Sequence, residues 1–179
     1  GEFLAASHPS GGEAAQVAWF PGPAGAGWVE AGNAGFAAAV DGSALEIVET
    51  LYGDTGKEAQ SKLVEDALET YPDIDYIVGT AVTAEAAVPI LRARGLTDQV
   101  KVVSYYFTPG VDQGIRRGQI LAAPTDSTVI QGRIAIDQAV RILEGKEFEK
   151  HVGPALYVVT TEKHAEFDPT SNLAPSGFK

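Results

Sequence analysis

Apolar positions along this chain follow two alternating rhythms. Short strand-length runs end in glycine, proline or small-residue loops, and longer segments with helical spacing follow them. The first run is Gln16-Val17-Ala18-Trp19-Phe20, stopped by Pro21-Gly22-Pro23. A helix is predicted from about Val29 to Val40, with Phe36 and Val40 on one face. Leu45–Leu51 alternates as a strand and turns at Gly53-Asp54-Thr55-Gly56. Lys57–Thr70 is amphipathic, with Leu63, Ala67 and Leu68 expected inward and Lys57, Glu58, Lys62, Glu65 and Asp66 outward.

The alternation continues. Tyr76–Gly79 reads as a short buried strand running into a small-residue loop, Thr80-Ala81-Val82-Thr83, with a helix through Ala84–Arg94 that stops at Gly95. Val100–Ser104 is the fourth strand, and Thr108-Pro109-Gly110 leads into a short helix around Val111–Arg117. Ile120–Ala123 is a fifth strand, and Thr128–Leu143 is a long helix closing at Gly145. Beyond His151, Leu156–Thr160 is strand-like, and the Pro/Ser/Asn-rich remainder reads as poorly structured. Strands alternating with helices at this spacing predict an α/β fold, a mostly parallel sheet with helices on both faces. Ligands of such sheets bind outside the carboxyl ends of the strands. That rule directs attention to Pro21–Trp28, Gly79–Glu85, Ser104–Gly110 and Pro124–Thr128.

Composition narrows the function classes. A chain of 179 residues with 45% apolar and 21% charged residues suits one globular domain, or one domain and a tail. The net charge of −11 leaves no basic patch for nucleic acid or an anionic membrane face. No apolar stretch is long enough to span a bilayer. The absence of cysteine excludes disulfides, thiolate catalysis and Cys-based zinc sites. The chain opens Gly1-Glu2-Phe3-Leu4 rather than with a basic stretch and an apolar run, and it holds no methionine. We therefore expect a mature protein or, better, a piece excised from a longer one.

Chemistry at the four loops points to binding rather than catalysis. The three histidines, His8, His151 and His164, lie toward the chain ends, outside those loops, and no Gly-x-Ser-x-Gly elbow is present. His8 reads as a helix-end residue. Metal-ligand spacings are absent, so neither a metal nor a cofactor is expected. Gly22-Pro23-Ala24-Gly25-Ala26-Gly27 lies between a strand and a helix, as a phosphate cradle would. It lacks the Lys-Ser/Thr of a P-loop and does not match Gly-x-Gly-x-x-Gly.

What the loops do contain is aromatic. Trp28 follows those glycines, and Tyr105-Tyr106-Phe107 ends the fourth strand. Alternation forbids all three of the latter from facing the core, so at least one should project into the crevice. Trp28 capping the sheet edge and Tyr106 packing on a helix are the plainer alternatives. Aromatic faces hold methylated ammonium groups by cation–π attraction. Asp126 adds a carboxylate to the same rim; as an alternative it caps the long helix, unless Ser127 or Thr128 does. Thr80–Thr83 offers no charged or amide group, which disfavours a sugar.

The segments Asp75-Tyr76-Ile77-Val78-Gly79, Ala81-Val82, Glu85-Ala86-Ala87 and Leu96-Thr97-Asp98 form an ordered set. It continues with Val102-Val103-Ser104, Tyr106, Gly110-Val111, Ala123-Pro124-Thr125-Asp126, Gln131-Gly132-Arg133 and Asp137-Gln138-Ala139. Over residues 75–145 this set resembles the type I periplasmic binding proteins of the ribose-binding kind. Within them it is most similar to the branch that senses trimethylamine N-oxide and works with a membrane histidine kinase. The resemblance implies a three-layer αβα Rossmann-like lobe, a periplasmic location, a small-molecule ligand, a sensor histidine kinase as partner, and no enzymatic activity.

Sugar-binding relatives place an aspartate where Tyr106 stands and an Asn/Asp pair where Ala81 and Val82 stand. The resemblance therefore implies that Trp28 and Tyr106 cage the methyl groups, with Asp126 on the rim. It also implies a division of the chain. Residues 1–12 would be a hinge-proximal segment from a first lobe, 13–127 the second lobe, 128–150 a long helix returning toward the first lobe, and 151–179 a C-terminal segment and tail. That helix would expose Ile130, Ile134, Ile136 and Leu143. A solute-binding protein of an ABC importer for a sugar or another small solute is the alternative. A Rossmann-like enzyme and a repressor's effector domain share the architecture but lack support in the loops.

Overall fold

The computed structural model describes residues 1–173. In chain order the elements are α1 (Glu2–Ser7), β1 (Ala15–Gly22), α2 (Gly27–Val40), β2 (Leu45–Tyr52), α3 (Lys57–Thr70), β3 (Tyr76–Gly79), α4 (Ala81–Arg94), β4 (Lys101–Ser104), α5 (Pro109–Arg116), β5 (Ala122–Pro124), α6 (Thr128–Leu143), β6 (Val158–Thr160) and α7 (Pro169–Asn172). A single 3₁₀ turn, His164–Glu166, precedes α7.

The six strands form one sheet in the order β2-β1-β3-β4-β5-β6. Strands β1 to β5 run parallel, and β6 closes the edge antiparallel to β5. Period-two alternation divides the apolar side chains between two faces. Val17, Trp19, Val78 and Val103 join Leu4, Phe36 and Val40 under α1 and α2. Ala18, Phe20, Ile77, Val102 and Ala123 pack on the other face against Val64 and Leu68 of α3, Ala84 and Leu91 of α4, and Val111 and Ile115 of α5. The expected αβα lobe is thus present. Strand order reverses at β1, with β2 added on one side of it and β3 on the other, and this opens a crevice at the carboxyl ends of the central strands.

Local chemistry explains the boundaries, and several differ from expectation. Helix α4 begins at Ala81, because the Thr80 hydroxyl accepts the N–H of Thr83 at 3.2 Å as an N-cap. The expected loop Thr80–Thr83 is therefore a cap and a first helical turn. The helix ends at Gly95, whose φ of +71 is the left-handed stop. On α3 the buried residues are Gln60, Val64, Ala67 and Leu68, while Leu63 is only partly covered.

The C-terminal part is more ordered than its composition suggested. Strand β6 and α7 carry the buried Val159 and Asn172, and buried Phe167 directly follows the 3₁₀ turn. The expectation of a poorly structured end applies otherwise to residues 174–179, outside the described residues. The segment read as hinge-proximal packs on the lobe: Leu4 of α1 is buried in the cluster beneath α2. Helix α6, by contrast, contributes no buried residue, and Ile136, Val140, Ile142 and Leu143 are exposed. Ile130 and Ile134 are half-covered. Among the described residues no helix is long and apolar enough to cross a membrane.

Candidate ligand cleft

Strand ends bring Trp28, Tyr106 and Asp126 to one cleft of about 320 Å³, which Thr55, Thr80, Ala81, Val82, Phe107 and Thr108 complete. Trp28 starts α2 just beyond the glycine turn. The six-membered part of its indole lies over Gly22, where a Cβ would sit 2.4 Å from Cη2. The Trp28 and Tyr106 rings meet edge to face, with centroids 5.9 Å apart and planes at 75°. Both rings are about two-fifths exposed, Trp28 41% and Tyr106 37%, so each keeps a face for a ligand. Trp28 thus covers the end of β1 and borders the cleft at once.

The three consecutive aromatics after β4 do not share one face, and because the strand ends at Ser104, Tyr105 and Phe107 turn to opposite sides rather than alternating. Tyr105 turns to the α2 side, 5.0 Å from Trp19, and its hydroxyl donates to the Pro21 carbonyl. Burial pushes that phenol well above its usual pKa, so it stays protonated. Phe107 packs into the opposite core against Phe167. Tyr106 is left to face the cleft. Its backbone is pinned by buried Ser104, whose hydroxyl donates to the Tyr106 carbonyl at 2.6 Å and accepts its N–H at 3.3 Å.

Asp126 does not cap α6. Its Oδ2 accepts the Phe107 N–H at 2.7 Å, which ties the β5 loop to the β4 loop. Ser127 occupies the cap position with φ +46, and neither it nor Thr128 makes a side-chain cap. Burial raises the Asp126 pKa above the ordinary carboxylate value, an effect partly offset by the Phe107 hydrogen bond. The Tyr106 pKa is raised too, first by burial and then by the charge of Asp126.

Two of the threonine hydroxyls on the cleft are committed elsewhere. Thr83 donates to Gln60 Oε1 at 2.7 Å, so the Thr80 hydroxyl, 2.8 Å away, must donate to Thr83. Thr108 donates to Glu85 Oε1 at 2.7 Å. The cleft therefore offers aromatic faces, one carboxylate and the Thr55 and Tyr106 hydroxyls rather than the planar polar groups that hold sugar hydroxyls. The expected loops did not include the one after β2, which supplies Thr55; the strand-end rule applied to β2 would have found it. Two other hollows, about 250 Å³ between α4 and the β4 and β5 edge and about 470 Å³ along the α2 face, lie away from the strand-end loops.

The histidines lie outside the cleft. His8 ends α1, with Nε2 2.9 Å from the Tyr76 hydroxyl and Nδ1 3.0 Å from the Glu13 carbonyl. His164 Nε2 lies 2.7 Å from Asp112, and His151 is exposed.

Residues 1–147 match the sequence model of the periplasmic binding protein domain. The chain belongs to the periplasmic binding protein family. Proteins of this family bind ligands rather than catalyse. The chain is 36% identical over 168 residues to the periplasmic protein TorT of Escherichia coli K12, covering 94% of this chain and 48% of TorT. It spans about half the length of the curated relatives it matches.

Among solved structures, an ABC transporter solute-binding protein of Bradyrhizobium sp. BTAi1 with bound Bis-Tris is 59% identical. The match has a TM-score of 0.93 and covers all of this chain and 54% of that one. The complex of the TorS sensor domain with TorT in the presence of TMAO matches at 35% identity and a TM-score of 0.88, over 99% of this chain and 58% of that one. A solute-binding protein of Actinobacillus succinogenes with bound D-allose, at 22% identity, shares the fold. Its TM-score is 0.83, over 93% of this chain and 61% of that one.

Proposed function

We propose that this chain is the second lobe of a periplasmic sensor for trimethylamine N-oxide or a similar small methylated amine. In this reading it reports ligand to a membrane sensor histidine kinase of the TorS kind. The observation that carries the reading is the edge-to-face pair Trp28–Tyr106 standing open beside Asp126. Aromatic faces attract methylated nitrogen centres through their quadrupoles, and the committed hydroxyls of Thr80 and Thr108 leave little to greet a sugar. The likeness to TorT supports the ligand class. So does the Bis-Tris, a tertiary amine, bound to the 59% identical relative.

In this reading the other wall of the cage belongs to a first lobe, toward which α6 with its exposed Ile136 and Leu143 returns. Residues 1–12 are the hinge-proximal approach. The ligand binds the closed form more tightly, and the partner reads that form. The cleft takes no part in catalysis. A second reading, a solute-binding protein of an ABC transporter, is favoured by the 59% identity to the Bradyrhizobium solute-binding protein.

Calorimetric titration of the full-length protein with trimethylamine N-oxide and with ribose tests the ligand. Heat with trimethylamine N-oxide alone is expected, and heat with ribose alone would sink the proposal. Co-purification from membranes separates the two partners, a histidine kinase being the expected one and a permease the result that favours the second reading.

A further inference from the structure

We infer that the cleft selects a full positive charge: Asp126 acts as counter-ion to an ammonium group and favours it over an uncharged isostere of the same shape. This rests on the reading of the cleft as a methylated-amine site and sharpens its ligand class.

The argument starts from an unpaired charge. Of the residues lining the cleft, Asp126 alone is ionic. Among the described residues no Lys, Arg or His makes an ion pair with it. One carboxylate oxygen takes the Phe107 N–H, and no donor among the described residues reaches the other. A partly desolvated carboxylate attracts a cation more strongly than one fully in water. The free oxygen is open to the cleft, where a cation entering it would meet it.

Its surroundings favour a cation further. Trp28 and Tyr106 present electron-rich faces beside the carboxylate. Glu85, which holds the Thr108 hydroxyl behind the rim, adds a second negative charge at that side of the cleft. A chain of net charge −11 also enriches cations around it. An N-oxide presents an electronegative oxygen instead. In this cleft the Thr80 and Thr108 hydroxyl protons are already donated to Thr83 and Glu85, which leaves the Tyr106 and Thr55 hydroxyls to greet that oxygen against the charge of Asp126.

Tetramethylammonium and trimethylamine N-oxide differ by one methyl in place of one oxygen, and so separate charge from shape. Calorimetry of the full-length protein at matched ionic strength should show tetramethylammonium binding at least tenfold more tightly. Asp126→Asn keeps an acceptor for the Phe107 N–H, and it should bring that ratio down toward one. Tighter binding of the N-oxide by the wild-type protein, or an unchanged ratio in D126N, overturns the inference while leaving the methylated-amine reading standing. Binding of neither compound overturns both. The wild-type comparison decides even if the variant folds poorly.

Discussion

Gly22 lies directly beneath the indole of Trp28: a Cβ at Gly22 would fall 2.4 Å from Trp28 Cη2. The contact closes a loop in which β1 ends, turns through glycines and starts α2, so the ring's position depends on the strand end lacking a side chain. Gly22 also has φ +118, which L side chains rarely adopt. Gly22→Ala should therefore move Trp28 off the strand end as well as strain the backbone. We expect a stability loss of about 1–3 kcal/mol by denaturant titration and a loss of ligand affinity. Retained affinity with Trp28 unmoved would show that the ring is held by other contacts.

Trp28→Ala and Tyr106→Ala should each weaken binding of a methylated amine by about 1–3 kcal/mol, through lost packing and lost cation–π attraction. Tyr106→Phe keeps the ring and should lose far less. Each ring is about three-fifths covered, so the alanine variants should also lose roughly 1–2 kcal/mol of stability, whereas Tyr106→Phe should hardly change it. Calorimetry alongside thermal melts separates the two effects. Unchanged affinity in both alanine variants would remove this pair from the site.

Burial raises the Asp126 pKa above its ordinary 3.8. An ammonium ligand requires the ionised carboxylate, so its affinity should fall as pH drops through the raised value, earlier than an ordinary aspartate would dictate. The stability of the ligand-free protein should respond oppositely. A carboxyl with a raised folded-state pKa binds its proton more tightly when folded, so its contribution grows as pH falls from above the raised value toward 3.8. Across that window the affinity should fall with pH, and the melting temperature of the wild-type protein should gain relative to that of D126N, whose affinity should depend less on pH.

Much of the frame was legible because it is written in periodicity. Lys57–Thr70, Tyr76–Gly79 and Thr128–Leu143 stand where their patterns placed them. The convergence of Trp28, Tyr106 and Asp126 followed from the strand-end rule. Tertiary contacts were not legible in the same way. Gln60 is polar at a position fully buried in the structure, and only its partners across the α3–α4 interface explain it. Thr80–Thr83 looked like a loop because its residues are small, although one hydroxyl capping the chain made it a helix start. In Asp168-Pro169-Thr170-Ser171 the Pro and Ser content suggested disorder. The same residues form a capped turn, with the Asp168 carboxylate accepting the Thr170 N–H at 2.9 Å.

That turn places Asn172 against the start of α6. Its side-chain oxygen accepts the Ser127 N–H at 2.9 Å, and its carbonyl accepts the Thr128 hydroxyl at 2.7 Å. Ser127 is buried and held at φ +46, a conformation costing an L residue about 1–2 kcal/mol. Asn172→Ala strands the Ser127 N–H and should cost about 1–3 kcal/mol. Ser127→Gly relieves the strain while loosening the unfolded chain, and should change stability by less than about 1 kcal/mol. Denaturant midpoints for the two variants test the assignment, and an N172A midpoint equal to wild type would contradict it.

Gln60 is the sharpest test of the hydroxyl network behind the cleft. Its amide nitrogen donates to the Asp54 carbonyl at 2.7 Å, and its oxygen accepts from Thr83, which in turn accepts from Thr80. Gln60→Leu fills similar space but leaves the Asp54 carbonyl and the Thr83 hydroxyl without their partner in a buried place, a loss of about 1–3 kcal/mol. It also frees Thr83 to reverse the chain and donate to Thr80, which returns the Thr80 proton to the cleft. A Q60L protein should therefore be less stable and should also bind a hydroxylated or N-oxide ligand relatively better than an ammonium one. Denaturation and paired titrations check both. A stability loss without any change in that preference would mean that the Thr80 hydroxyl does not reach the ligand.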